Sequence, residues 1–282
     1  MTYRAAVPLL EEHPDLPRSL SFTAWTKMQD RYTGDVGDFA KYGLLRRLLQ
    51  PSSSGQELRL AVLWYLIDDE DSNSDGKHVS YLRDNRMRPC DPALHDRLKL
   101  LVDSGNRNVS GLERSGVLPP ERTVFFSVRL PSLRSRRQGG VSAIDARRRW
   151  FVSALEASRA ADLVFLDPDN GLEVASVPRS AAKASKYVYL DEVRCIAERG
   201  QSLLIYHHHN RSAPGEVQTA RALNRLRSAA PQCSDVTAIT FRRGSVRSFF
   251  LLSARSHSKM LRASMASLLE GVWAPYFFLN EK

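Results

Sequence analysis

Cysteine is scarce in this chain. The three in 282 residues, Cys90, Cys195 and Cys233, are far apart and show no Cys-x-x-Cys spacing, which excludes a disulfide scaffold or a zinc ribbon as the organising element. Long apolar runs are lacking too. None approaches the ~20 residues that a membrane helix needs, so no membrane association is expected. Near the N-terminus Glu11, Glu12 and Asp15 stand among prolines, where a secretory leader would place basic residues before an apolar stretch. The expectation is a reduced, cytoplasmic protein. Acidic residues are the minority charge, 31 against 41 Lys and Arg, giving a formal charge of +10 and a pI near 9.8. That excess favours a polyanionic partner such as nucleic acid, although net charge fixes neither fold nor site. There is no internal repeat, and only SSSG at 52–55 and RSRRQGG at 134–140 are of low complexity, reading as flexible loops.

What is present is enough for a core: 43% of the residues are hydrophobic and 9% aromatic. Residues 1–30 hold Pro8, Pro14 and Pro17 and lack periodicity, reading as an arm; 31–282 read as one domain. In GDFAKYGLLRRLL, Phe39, Tyr42, Leu45 and Leu49 fall at helical spacing, with Asp38 available as a cap or dipole partner. LRLAVLWYLI reads as a buried strand ending in DDEDSNSDGKH, and 79–121 as a helical insertion around DPALHDRLKLLVDSG. TVFFSV and ADLVFLD are predicted strands on either side of the helix SAIDARRRWFVSALEASRA. SKYVYLDEVRCIAERG is predicted as a helix stopped by glycine, QSLLIYHHHN as a strand, GEVQTARALNRLRSAA as a helix, and VTAITFRRGSVRSFFLL as a hairpin. This alternation predicts an α/β, doubly wound, mostly parallel sheet with a C-terminal antiparallel hairpin.

Three strand ends are more polar than a turn requires: Asp68–Asp71, Asp167–Asn170 and His207–Asn210. In a parallel sheet all three sit on one edge, where ligands of open α/β sheets bind. Each taken alone is also an ordinary turn composition. In VFLDPDNGLEV, Gly171 is expected to permit a turn with positive φ. His207 and His209 share one strand face, His208 the other, so the first two could join Asp167 or Asp169 at a metal, although no ligand spacing signature is present. Arg134, Arg136, Arg137, Arg147, Arg148 and Arg149 form a candidate phosphate-contacting patch, with Trp150 and Phe151 either stacking on bases or anchoring the core. Lys41 and Arg211 are expected at the same sheet edge as cationic partners for phosphate or carboxylate, or else on a solvated face.

GDVGDFAKYGLL, a strand with an acidic end, LDPDNGLE and LLIYHHHNR occur in an order and spacing that resemble the large-subunit ribosomal RNA adenine methyltransferases that modify the exocyclic amine. In that family a Gly-Asn-His-Ala-Asp-x-x-Lys-His signature precedes the first strand; Gly34, Asp35, Asp38, Lys41 and Tyr42 match it here. The resemblance covers about residues 30–255 and implies a class I methyltransferase fold, S-adenosylmethionine as methyl donor and RNA as partner. It places Gly34, Asp38, Lys41, Asp68, Asp69, Asn73 and Gly76 at the cofactor. It places Asp167, Pro168, Asp169 and Asn170 at the family's Asp-Pro-Pro-Tyr motif. There Asp167 and a prolyl carbonyl would orient the target amine. Two departures stand out: Asn170 replaces the aromatic that stacks on a flipped base, and the cofactor loop has a single glycine, Gly76. Two further readings stay open. One is a metal-dependent nuclease or phosphodiesterase in which Asp68, Asp69, Asp167 and Asp169 hold Mg²⁺ or Mn²⁺ and His207 or His209 activates water. The other is a non-catalytic nucleic-acid-binding relative.

Overall fold

A computed structural model describes residues 33–67, 78–131, 142–210, 212–243 and 245–280. The expected arm, most of the acidic loop with Asp68, Asp69, Asn73 and Gly76, the loop arginines Arg134, Arg136 and Arg137, and Arg211 lie outside these residues.

The first strand, β1 (Leu60–Trp64), is flanked in space by β2 (Thr123–Phe126) and β3 (Leu163–Asp167), both parallel to it. Beyond β3 lies β6 (Ser202–His208), also parallel. Next comes β8 (Ser245–Ser253), antiparallel to both β6 and its hairpin partner β7 (Asp235–Arg243). An edge strand, β9 (Phe277–Asn280), completes the order β2-β1-β3-β6-β8-β7-β9. Only β8 and β9 run against the other five strands, so the mostly parallel sheet with a reversed C-terminal hairpin is observed. A separate pair, β4 (Gly171–Leu172) with β5 (Tyr187–Val188), lies beyond the end of β3.

Period-two alternation divides the core. Leu60, Val62 and Trp64 of β1, Phe165 of β3 and Leu204 and Tyr206 of β6 pack with α1 (Val36–Leu48), α3 (Pro92–Asp103) and α8 (Ser258–Glu270). Ala61, Leu63, Leu166 and Ile205 point the other way, onto α5 (Ala143–Ala157), α6 (Leu190–Glu198) and α7 (Gly215–Ala229). Both faces are therefore covered by helices, which explains why these strands read as continuous apolar runs. The insertion between β1 and β2 is helical as expected, adding α2 (Tyr81–Asp84) and α4 (Val109–Arg114) to α3.

Of the two roles open to Asp38, the cap falls instead to Asp35, whose Oδ1 accepts from Asp38 N at 2.9 Å. Asp38 serves in the first turn, favourable to the helix dipole, and accepts from Gly34 N at 3.0 Å. The expected helix from Ser185 begins only at Leu190, because Tyr187 and Val188 are drawn into β5 by pairing with Gly171 and Leu172. Finally, α8 and β9 had no counterpart in the sequence reading.

Candidate functional site

Trp64 and Asp167 stand opposite each other at the ends of β1 and β3. Above them opens a cleft of ≈ 290 Å³, walled by the start of α1, the Asp167–Asn170 turn and the ends of β6 and β8. This is the sheet edge at which α/β proteins bind ligands. Of the expected site residues, Asp38, Lys41, Asp167, Pro168, Asp169 and Asn170 line it. Gly34 adjoins them through its N–H bond to Asp38 and adopts φ +83°.

Lys41 ties the motifs together. Its ammonium donates to Asp167 Oδ2 at 2.9 Å and to Asp38 Oδ1 at 3.1 Å, and all three side chains are nearly buried. The same nitrogen lies 5.0 Å from the centre of the Tyr206 ring and 5.9 Å from that of Trp64, within cation–π range. Burial alone would depress the Lys41 pKa, but Asp167 and Asp38 outweigh it and hold the ammonium charged beyond the ordinary lysine range. Burial pushes the Asp167 carboxyl up to about 6 against the pull of Lys41, with Asp38 and Asp169 adding to the rise.

The turn after Asp167 is fastened on both sides. Asn170 N donates to Lys186 O at 2.9 Å, His208 N to Asn170 O at 3.3 Å, and Asp169 pairs with Lys186 at 3.4 Å. Gly171 has φ +104°, as anticipated. A side chain there would also strike His207, whose Nδ1 and Cα lie 2.1 and 2.8 Å from the Cβ position.

The histidines divide between the two faces as expected, His207 with His209 and His208 opposite, but it is the His208 face that meets the cleft. His207 packs behind the turn, its Nδ1 accepting from Leu172 N at 3.2 Å, and burial holds its pKa down to about 4. His209 turns to Ser248, 2.7 Å away. His208 is the one that lines the cleft, because Tyr206 and His208 alternate onto the face that carries α1. Burial first, then Arg247, lowers the His208 pKa to about 3, so the ring is neutral at pH 7. The expected grouping of His207 or His209 with Asp167 or Asp169 is thus not what lines the cleft. Lys41 also stands between Asp38 and Asp167 where a cation would have to bind. Among the described residues no group of three His, Cys, Asp or Glu is arranged to hold a metal ion.

The arginine patch divides similarly. Arg147 is buried, its guanidinium forked onto Glu192 at 2.8 and 2.9 Å and stacked 3.7 Å from the Tyr189 ring centre. It ties α5 to α6 and is no phosphate contact. Trp150 donates to Val128 O at 2.7 Å and packs in the core with Phe151. Arg148 and Arg149 remain exposed on α5.

The sequence reading missed Trp64, Tyr206, His208, Lys186 and Arg247. For Arg247 a signal existed: one arginine inside an apolar strand, 5% exposed, calls for a partner. The structure supplies Asp35 at 3.3 Å and the Tyr206 hydroxyl at 2.8 Å. The Cβ position of Gly37 falls 2.6 Å from the guanidinium carbon, so glycine on α1 gives that side chain its room.

No helix among the described residues is long and apolar enough to cross a membrane. All three cysteines are free. No family model matches the chain, and no curated protein does. Among solved structures, the chain is similar to the crystal structure of protein LPL1258 from Legionella pneumophila str. Philadelphia 1, family-model DUF519. That likeness has 11% identity and a TM-score of 0.45, covering 88% of this chain and 97% of that one.

Proposed function

We propose that this protein is an S-adenosylmethionine-dependent methyltransferase acting on an exocyclic amino group of a nucleic acid, RNA in the first instance. The observation that carries the reading is the Lys41–Asp167 contact at 2.9 Å, which joins two motifs 126 residues apart at one cleft. Those motifs, GDVGDFAKY and LDPDN, are the ones whose order suggested such an enzyme.

The chemistry of the cleft suits the cofactor. Lys41 compensates Asp38 and Asp167, and Lys186 compensates Asp169, so the Trp64 and Tyr42 rings are what would face a cationic sulfonium. Trp64, with Asp38 also lining the cleft, would hold it on the β1 side. When bound, the cofactor supplies an electrophilic methyl group. The protein's own task is to present the amine: Asp167 Oδ1, left over from the bond that Oδ2 receives from Lys41, accepts an amine N–H, and this turns the nitrogen lone pair outward. Lys41 fixes the carboxylate while keeping it ionised at neutral pH. A carboxyl with pKa about 6 is also well matched to take the proton that a methylated amine must lose. Pro168 and the fastened turn hold Asp167 in place.

Isothermal titration with S-adenosylmethionine, with and without Mg²⁺, tests the reading. Micromolar affinity indifferent to the metal is expected. Lack of binding, or binding that requires Mg²⁺, would turn the assignment toward the phosphodiesterase alternative.

A further inference from the structure

The β6–β8 side of the cleft carries a hydrogen-bonded chain whose donors are not all used. Arg247 Nε donates to the Tyr206 hydroxyl at 2.8 Å, and Nη2 to Asp35 Oδ2 at 3.3 Å. A guanidinium only donates, and a phenol has one proton to give. The Tyr206 hydroxyl therefore accepts from Arg247 and gives its proton to His208 Nε2, 2.8 Å away. That fixes the tautomer: His208 is neutral with its proton on Nδ1. Arg247 Nη1 has no hydrogen-bond partner among the described residues, although the side chain is only 5% exposed. Both residues line the cleft and stand directly opposite each other on the β6–β8 ladder.

A buried donor without an acceptor costs free energy unless a ligand supplies one. The local charge decides what kind. Asp35 already compensates Arg247, and Asp38 lies close enough to contribute; an entering anion would face both carboxylates. A neutral acceptor, a ring nitrogen or carbonyl oxygen, meets the donors with no added charge.

We propose that Arg247 and His208 form a specificity subsite that reads a neutral acceptor atom on the heterocycle bearing the target amine, and that Tyr206 is the positioning residue that sets the His208 tautomer. The proposal rests on the methyltransferase reading: with the amine on Asp167, the atom within reach is a ring nitrogen flanking that amine.

The test is titration with adenosine and its 1-deaza, 3-deaza and 7-deaza analogues in the presence of S-adenosylhomocysteine. The 1-deaza or the 7-deaza analogue, each lacking a nitrogen that flanks the amine, is expected to bind about tenfold more weakly than adenosine, and the 3-deaza analogue equally well. In Arg247→Met the gap closes. The wild-type series needs no variant, and His208→Phe supplies a second should Arg247→Met fail to fold. Equal affinity for all four compounds, or a gap that survives in both variants, overturns the subsite. So does a protein that binds S-adenosylhomocysteine yet takes no adenosine at millimolar concentration. If S-adenosylhomocysteine itself fails to bind while the Arg247-dependent gap stands, the subsite holds and the methyltransferase reading falls.

Discussion

Gly43 lies inside α1, where alanine would ordinarily stabilise the helix by about 0.5–1 kcal/mol. Here the Trp273 ring occupies the space: its carbons lie 2.3 and 2.5 Å from the Cβ position. Gly43→Ala is therefore expected to destabilise, by about 1–3 kcal/mol, which urea unfolding will measure; a gain in stability would show that Trp273 yields easily. Asp167 acts by charge instead. Asp167→Asn keeps the shape but leaves Lys41 with Asp38 alone. We expect methyl transfer to fall by about 10²-fold or more while S-adenosylmethionine affinity changes little, as read by labelled transfer and by titration. Equal losses in both would make Asp167 a cofactor ligand and not the holder of the amine.

At the scale of elements, β6 has an acid-sensitive build. Burial holds His207 and His208 to about 4 and about 3, below the ordinary 6.5. The unfolded chain thus binds more protons between about 4 and 6.5, and their contribution to stability is lost as pH falls through that window. Asp167, raised from 3.8 to about 6, works the other way, its contribution fading as pH rises between those values. Two histidines outweigh one carboxyl. Near pH 5 these three groups give a net uptake of about one proton on unfolding, or about 1.4 kcal/mol per pH unit. Unfolding free energy should accordingly rise from pH 4.5 to 6, and a flat or falling profile would mean that His207 or His208 is charged in the fold.

Legibility from sequence differed from element to element. β1, β3 and β6 announced themselves because strands covered on both faces must be apolar throughout. β5 was unreadable, since its two residues are strand only through their partners on β4. Asp167 and Lys41 were legible as polar groups next to apolar runs. Of Arg247 only the need for a partner was legible; its link to Tyr206 and His208 arises from the β6–β8 register, which a strand pattern does not specify across 39 residues, from 208 to 247.

For the molecule as a whole, the formal charge of +10 bears on binding and not on architecture. RNA affinity is expected to drop by roughly one to two orders of magnitude between 50 and 200 mM salt, the response of a protein that displaces about three or four counterions. Filter binding across that range checks it. A salt-independent affinity would mean that the cleft holds the RNA without help from the basic surface.

The strand order has a consequence for how the chain is made. β6 leaves the ribosome with β3 already available on one side, but the neighbour on its other side, β8, comes only after α7 and β7. At ~5–20 residues per second the Tyr206–His208 end of β6 spends a few seconds as a bare sheet edge beside a half-built cleft. Until β8 slides between β6 and β7, any extended peptide nearby competes for the same backbone groups. Nascent chains stalled within β7 are the ones that should most need a chaperone.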